Sequence, residues 1–171
     1  MEKYEKLFKK IKKYYRGKYR SRKADERIIH IRRVFRMCYK ITQKYDDLNI
    51  NQDLLLTSAL LHDIAKPKFG LLHPVPLLVS MACKDVGIRI KNEKQIADIV
   101  YYHSGKKFRP KAYPLEAAIL RMCDKIDKFH TVKIKKATKK CKKSYKLIVD
   151  YFEHDHLVQA LKAFLFIFEK C

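Results

Sequence analysis

The chain has 171 residues, 47% of them hydrophobic, with four glycines and five prolines. That length and apolar share exclude a disordered chain and suit one domain with a sizeable core. Forty Lys and Arg face 18 Asp and Glu, a net charge of +22, which selects nucleic acid, nucleotides or an anionic membrane surface as partners, against the alternative of a solvated basic face with no dedicated partner.

No apolar run reaches the roughly 18 residues that span a bilayer. The N-terminal lysines have no apolar segment after them, so the sequence reads as cytoplasmic, without a secretory signal. The cysteines Cys38, Cys83, Cys123, Cys141 and Cys171 are odd in number and form no CxxC pair, which argues against a disulfide framework. Cys38, Cys83 and Cys123 fall in apolar helical patterns and read as small core residues.

In chain order, residues 1–23 carry 11 Lys and Arg interleaved with Tyr4, Phe8, Tyr14, Tyr15 and Tyr19. Tyr4, Phe8, Ile11 and Tyr15 recur at helical spacing and predict a helix with one packed side. Basic plus aromatic also suits single-stranded nucleic acid. Gly17 and Ser21 predict a loop. A long helix is expected from Ala24 or Asp25 to about Tyr45, with Ile31, Val34, Phe35, Cys38, Ile41 and Tyr45 as its stripe and Ile28 and Ile29 outside it.

Asn51 is a predicted N-cap for the next helix, which is apolar almost all round from Leu54 to Leu61 and therefore central. It is expected to carry His62, Asp63 and Lys66 and to stop at Pro67. A short loop with Gly70 follows. His73-Pro74 then opens a helix that carries Leu77, Leu78, Met81 and Ala82 and ends at Gly87. Asn92 is expected to cap a helix containing Ile96, Ile99, Val100 and His103. After the basic loop Lys106-Lys107-Phe108-Arg109-Pro110-Lys111, Pro114 starts a helix to about Lys128, with Ala118, Ile119, Met122, Cys123 and Ile126 inward and Asp124 upon it. Residues 132–146 hold eight lysines and no acid. Residues 157–168 are strongly apolar and suit either a closing helix or a homodimer interface. With no internal repeat and no clear strand, the expected architecture is all-α, a single domain over 1–171 built as a bundle of about seven helices.

Four histidines, His30, His62, His73 and His103, lie on or beside apolar helices or at their ends, and Asp63 and Asp124 hold comparable positions. One such histidine is ordinarily a core residue bonded to a neighbour. Four with two helical aspartates would need many compensating partners if packed together without metal.

The pattern His30…His62-Asp63…Asp124 resembles the HD-domain metal-dependent phosphohydrolases. His73-Pro74-Val75, Tyr102-His103-Ser104-Gly105 and Leu120-Arg121-Met122-Cys123-Asp124-Lys125-Ile126-Asp127 look like the bacterial HD hydrolases that split diadenosine tetraphosphate symmetrically. The resemblance covers about residues 25–130. It implies that His30, His62, Asp63 and Asp124 hold one divalent metal, and that Asp63 bridges to a second held by His73 and His103. Iron, manganese or zinc suits such a set. A shared, activated water would attack a phosphoester or phosphoanhydride of a nucleotide or dinucleotide substrate. Asp63 and Lys66 are the expected catalytic residues, with Lys66 on a phosphate oxygen. Arg33, Lys106, Lys107 and Arg109 are candidates for the rest of the substrate.

The surplus charge in residues 1–23 and 132–146 lies outside the resemblance and exceeds what a dinucleoside polyphosphate requires. Three alternatives follow from it: an HD-type nuclease on RNA or single-stranded DNA, a non-catalytic nucleic-acid-binding HD protein, and a membrane-surface adaptor.

Overall fold

The computed structural model describes residues 1–44, 49–104 and 114–127. Its elements are α1 (Glu2–Lys18), α2 (Ser21–Lys44), α3 (Gln52–Leu61), α4 (Lys66–Phe69), a 3-10 turn (Gly70–Leu72), α5 (Pro76–Asp85), α6 (Glu93–Ser104) and α7 (Leu115–Asp127). The described residues contain no strand, so the all-α expectation holds. No helix among them is long and apolar enough to cross a membrane. The basic loop 106–111, the lysine-rich segment 132–146 and the apolar segment 157–168 lie outside the described residues.

The middle of the molecule is α3. Leu54, Leu55, Leu56, Ala59, Leu60 and Leu61 are all buried, because α2, α6, α7 and α1 pack around it. Its start is capped as expected: the Asn51 side chain accepts from Leu54 N–H at 3.1 Å. The buried Glu116 of α7 accepts from Asn51 N–H at 2.6 Å and ties the two helix starts together.

α1 is stapled to the bundle along its length. Ile11 and Tyr15 are fully buried and Tyr4 nearly so. Tyr4 O–H donates to Asp53 at 2.9 Å, Lys3 pairs with the same carboxylate, and Lys10 reaches Gly87 O at 2.7 Å.

Several expectations need correction. α1 runs through Gly17, and α2 begins at Ser21. The α2 stripe also starts earlier than read, because Ala24 and Ile28 are buried while Ile29 is half exposed. Arg32 is exposed and Arg33 pairs with Asp127, so neither takes the place of Ile28 in the core. α3 ends at Leu61, where bonds shorten to the i+3 pattern (Ile64 N–H to Leu61 O, 2.9 Å). Pro67 therefore does not stop that helix; it sits in the first turn of α4, where its missing N–H costs nothing. On α5 the inward residues are Val79, Ala82 and Cys83, whereas Leu77 and Met81 are exposed.

Ile11→Ala would leave a cavity under α1 and is expected to lower stability by about 2–5 kcal/mol. Urea unfolding of the full chain measures this; an unchanged midpoint would mean that α1 is an appendage.

Candidate metal centre

Five elements bring six side chains together. His30 lies in the middle of α2 and Asp124 on α7. His62 caps the C-terminus of α3, and Asp63 follows it in the turn. His73 caps the 3-10 turn, and His103 lies in the last turn of α6. All six are buried.

The hydrogen bonds place the ring protons. His62 Nδ1–H donates to Ala59 O at 2.8 Å, His73 Nδ1–H to Gly70 O at 2.9 Å, and His103 Nδ1–H to Val100 O. His30 Nδ1–H donates to Asp127 Oδ2 at 2.7 Å. Each ring then presents Nε2 as a lone pair toward the common centre. There, acceptors face acceptors. His30 Nε2 is 3.1 Å from His62 Nε2 and 3.4 Å from Asp124 Oδ1. His73 Nε2 is 3.0 Å from Asp63 Oδ1, yet it makes no hydrogen bond and is buried.

The protonation states agree with this picture. Burial lowers the pKa of His62, and it pushes His103 down to about 3. Burial would raise Asp63, but His62, His73 and Lys66 outweigh it and hold the carboxyl well below its usual range. Only His30 goes the other way: burial opposes the proton, and its bonds to Asp124 and Asp127 raise the pKa nonetheless. A proton on His30 relieves one contact, and a metal ion would take the place of that proton.

The donor set fits a metal. His30, His62 and Asp124 offer ligand atoms all within 4.8 Å of one another, and so do His62, Asp63 and His103. His62 belongs to both groups, and His73 joins through its contact with Asp63. Asp63 Oδ2 lies 3.8 Å from His30 Nε2 and 3.9 Å from His62 Nε2, while its Oδ1 is on the His73 side. Imidazole nitrogen and carboxylate oxygen without thiolate suit iron, manganese or zinc.

Around the ligands stands a layer of charged partners. Lys66 Nζ donates to Asp63 Oδ2 at 2.8 Å, and Arg27 lies 4.0 Å from the same oxygen. Tyr15 O–H donates to Asp63 O at 2.5 Å. Arg33 grips Asp127 through Nε at 2.5 Å and a terminal nitrogen at 3.0 Å. That grip engages the Arg33 guanidinium with Asp127. Arg121 donates to His103 O at 3.1 Å and fixes the end of α6. Lys106, Lys107 and Arg109 lie outside the described residues.

Asp127, Tyr15 and Arg27 were not singled out as site residues in the sequence. Asp127 has a signal, since it falls three residues after Asp124 and so on the same helix face. Arg27 has the same kind of signal, three residues before His30 on α2, whereas Tyr15 has none, because only the docking of α1 reveals it.

A model of the HD domain matches residues 27–128. No curated protein and no solved structure matches the chain.

Two outcomes follow. Asp127→Asn would loosen the His30 ring and is expected to weaken metal binding about 10–100-fold, read by calorimetric titration of the metal-free protein. His103, neutral when folded, takes up a proton on unfolding below its ordinary pKa of 6.5. The unfolded state then binds more protons, so metal-free protein loses up to about 1.4 kcal/mol per pH unit of acidification between pH 6.5 and about 3 from this group. His103→Gln should flatten the slope of stability against pH over that window; an unchanged slope would mean that His103 is not held neutral.

Proposed function

We propose that this chain, which belongs to the HD-domain family, hydrolyses a phosphoester or phosphoanhydride bond of a nucleotide or dinucleoside polyphosphate in the cytoplasm. HD domains are mostly metal-dependent hydrolases. The observation that carries the reading is the set of four Nε2 lone pairs converging on Asp63 and Asp124 inside a buried centre.

In this reading His30, His62, Asp63, His73, His103 and Asp124 hold two divalent ions. Metal would supply Lewis acidity and lower the pKa of a water nucleophile toward neutrality. The protein's own groups do the rest. Lys66, a fifth exposed at its side chain, leaves Asp63 for a non-bridging phosphate oxygen and offsets charge developing there. Arg27, about a third exposed, stands on the same side of Asp63 and faces the next phosphate. Asp127 and Arg33 keep the His30 ring oriented, and Tyr15 holds the Asp63 backbone. The sequence also resembles the symmetrical diadenosine tetraphosphate hydrolases, so that dinucleotide is the first substrate to offer. A nuclease acting on RNA or single-stranded DNA is the second reading, favoured by the net charge of +22.

The test offers the full chain with Mn²⁺ or Fe²⁺ a panel of mononucleotides, diadenosine tetraphosphate, and single-stranded RNA and DNA. Asp63→Asn should abolish turnover, and Lys66→Ala should lower kcat about 10²-fold or more with metal content unchanged. Turnover equal in wild type and Asp63→Asn would refute the hydrolase reading.

A further inference from the structure

We infer that the face between α1 and α2 binds single-stranded nucleic acid, taking an unstacked base among Tyr4, Phe8, Phe35 and Tyr39 and backbone phosphates along Arg32, Arg36 and Lys40. These side chains include none of the six at the metal centre, so the inference stands apart from the proposed activity.

A pocket of about 260 Å³ opens between the two helices, bordered by the four aromatic rings and by Arg32 and Arg36. The rings are already arranged to receive another. Phe35 and Tyr39 lie nearly parallel, at 8°, and Tyr4 tilts against Phe35 with centroids 5.6 Å apart. Phe8 is partly buried, and the Arg32 guanidinium sits over its ring at 6.0 Å. Aromatic faces flanked by guanidinium groups take any base, because every base has a π face.

Beside the pocket runs a row of cations, of which Arg32 also rests on the Phe8 ring. Arg32, Arg36 and Lys40 are exposed and follow one another at four-residue intervals on α2. None of the three forms an ion pair with an acid among the described residues. Like charges at that spacing repel and weaken a helix. An anion laid along them removes that repulsion. The row spans eight residues, about 12 Å of helix, which is longer than the phosphate of one nucleotide and suits consecutive phosphates of a strand. Duplex cannot supply the base, since its bases are stacked and paired.

Glu5 also borders the pocket and forms no ion pair among the described residues. Its carboxylate accepts from an exocyclic amino group, as carboxylates do from cytosine N4. Adenine and cytosine carry such a group and thymine does not, so the pocket should favour the first two.

Fluorescence anisotropy of the full chain with labelled oligo(dA), in EDTA to prevent cleavage, tests this. Oligo(dA) and oligo(dC) should bind more tightly than oligo(dT), than duplex of the same length, and than free AMP. Tyr39→Ala should weaken binding about tenfold, and Tyr39→Phe should restore it. Arg32→Ala with Arg36→Ala should weaken it further and lower the slope of log K against log salt by about 0.7 for each phosphate contact removed. Lys84→Ala with Lys94→Ala makes the same charge change on exposed positions away from the pocket and should have little effect. Equal losses in the two double variants, or no loss in Tyr39→Ala, would mean diffuse attraction without a site. Equal affinity for AMP and oligo(dA) would replace the strand with a single nucleotide. Either result overturns the inference, whether or not the metal centre hydrolyses anything.

Discussion

Four imidazole Nε2 atoms and two carboxylates face one another where water is nearly excluded, and one of them, His73 Nε2, is buried without a hydrogen bond. A buried acceptor without a donor costs about 1–3 kcal/mol, so the whole bundle is arranged around a debt that a cation relieves. The arrangement is produced by one local device used three times. Carbonyls in the last turn of a helix have no intrahelical partner. His62, His73 and His103 each bond the carbonyl three residues back and so aim Nε2 away from the helix end. Helix C-termini also carry partial negative charge, which favours a cation where α3 and α6 end.

His30 cannot use that device. It lies in the middle of α2, where the carbonyls are already bonded within the helix. Its Nδ1–H needs a side-chain acceptor, and Asp127 supplies one across from α7. Burial alone would push the Asp127 carboxyl up, but the bonds to His30 and Arg33 lower its pKa and keep it ionised as an acceptor. Asp127 and Arg33 thus exist in this geometry because one ligand comes from a helix interior and the others from helix ends.

This difference also explains what the sequence could tell. Apolar periodicity gave away the helices, and four imidazoles on or beside apolar helices are rare enough to notice, but their grouping with Asp63 and Asp124 as ligands is what the family resemblance implies. The end of α3 was misread because a proline is an obvious stop, whereas the real signal is a change to i+3 bonding at Leu61 that leaves no trace in composition. Which residues of α5 face inward was not legible, because that helix is apolar on more than one side and its pattern does not choose a face. Tyr15 shows the limit most clearly. Its spacing with Tyr4 and Ile11 marks it as packed, but only the crossing of α1 over the turn after α3 turns a core tyrosine into the donor that holds Asp63.

The charges separate into two systems. Near the ligands, Asp63, Asp124 and Asp127 face Arg27, Arg33 and Lys66, so acids and bases balance and the centre itself contributes little to the net +22. The surplus belongs to the surface, including the exposed row on α2. Each divalent ion added would make the centre more positive by two charges, so attraction of phosphate into it depends on metal, while attraction to the outer face does not. α2 carries both systems on one 24-residue rod, with His30 and Arg33 turned inward and Arg32 and Arg36 outward. Neighbouring residues on a helix point about 100° apart, so Arg32 and Arg33, adjacent in sequence and identical in chemistry, serve the two systems separately: Arg33 pairs with the carboxylate behind a metal ligand, and Arg32 rests on the Phe8 ring at an aromatic pocket.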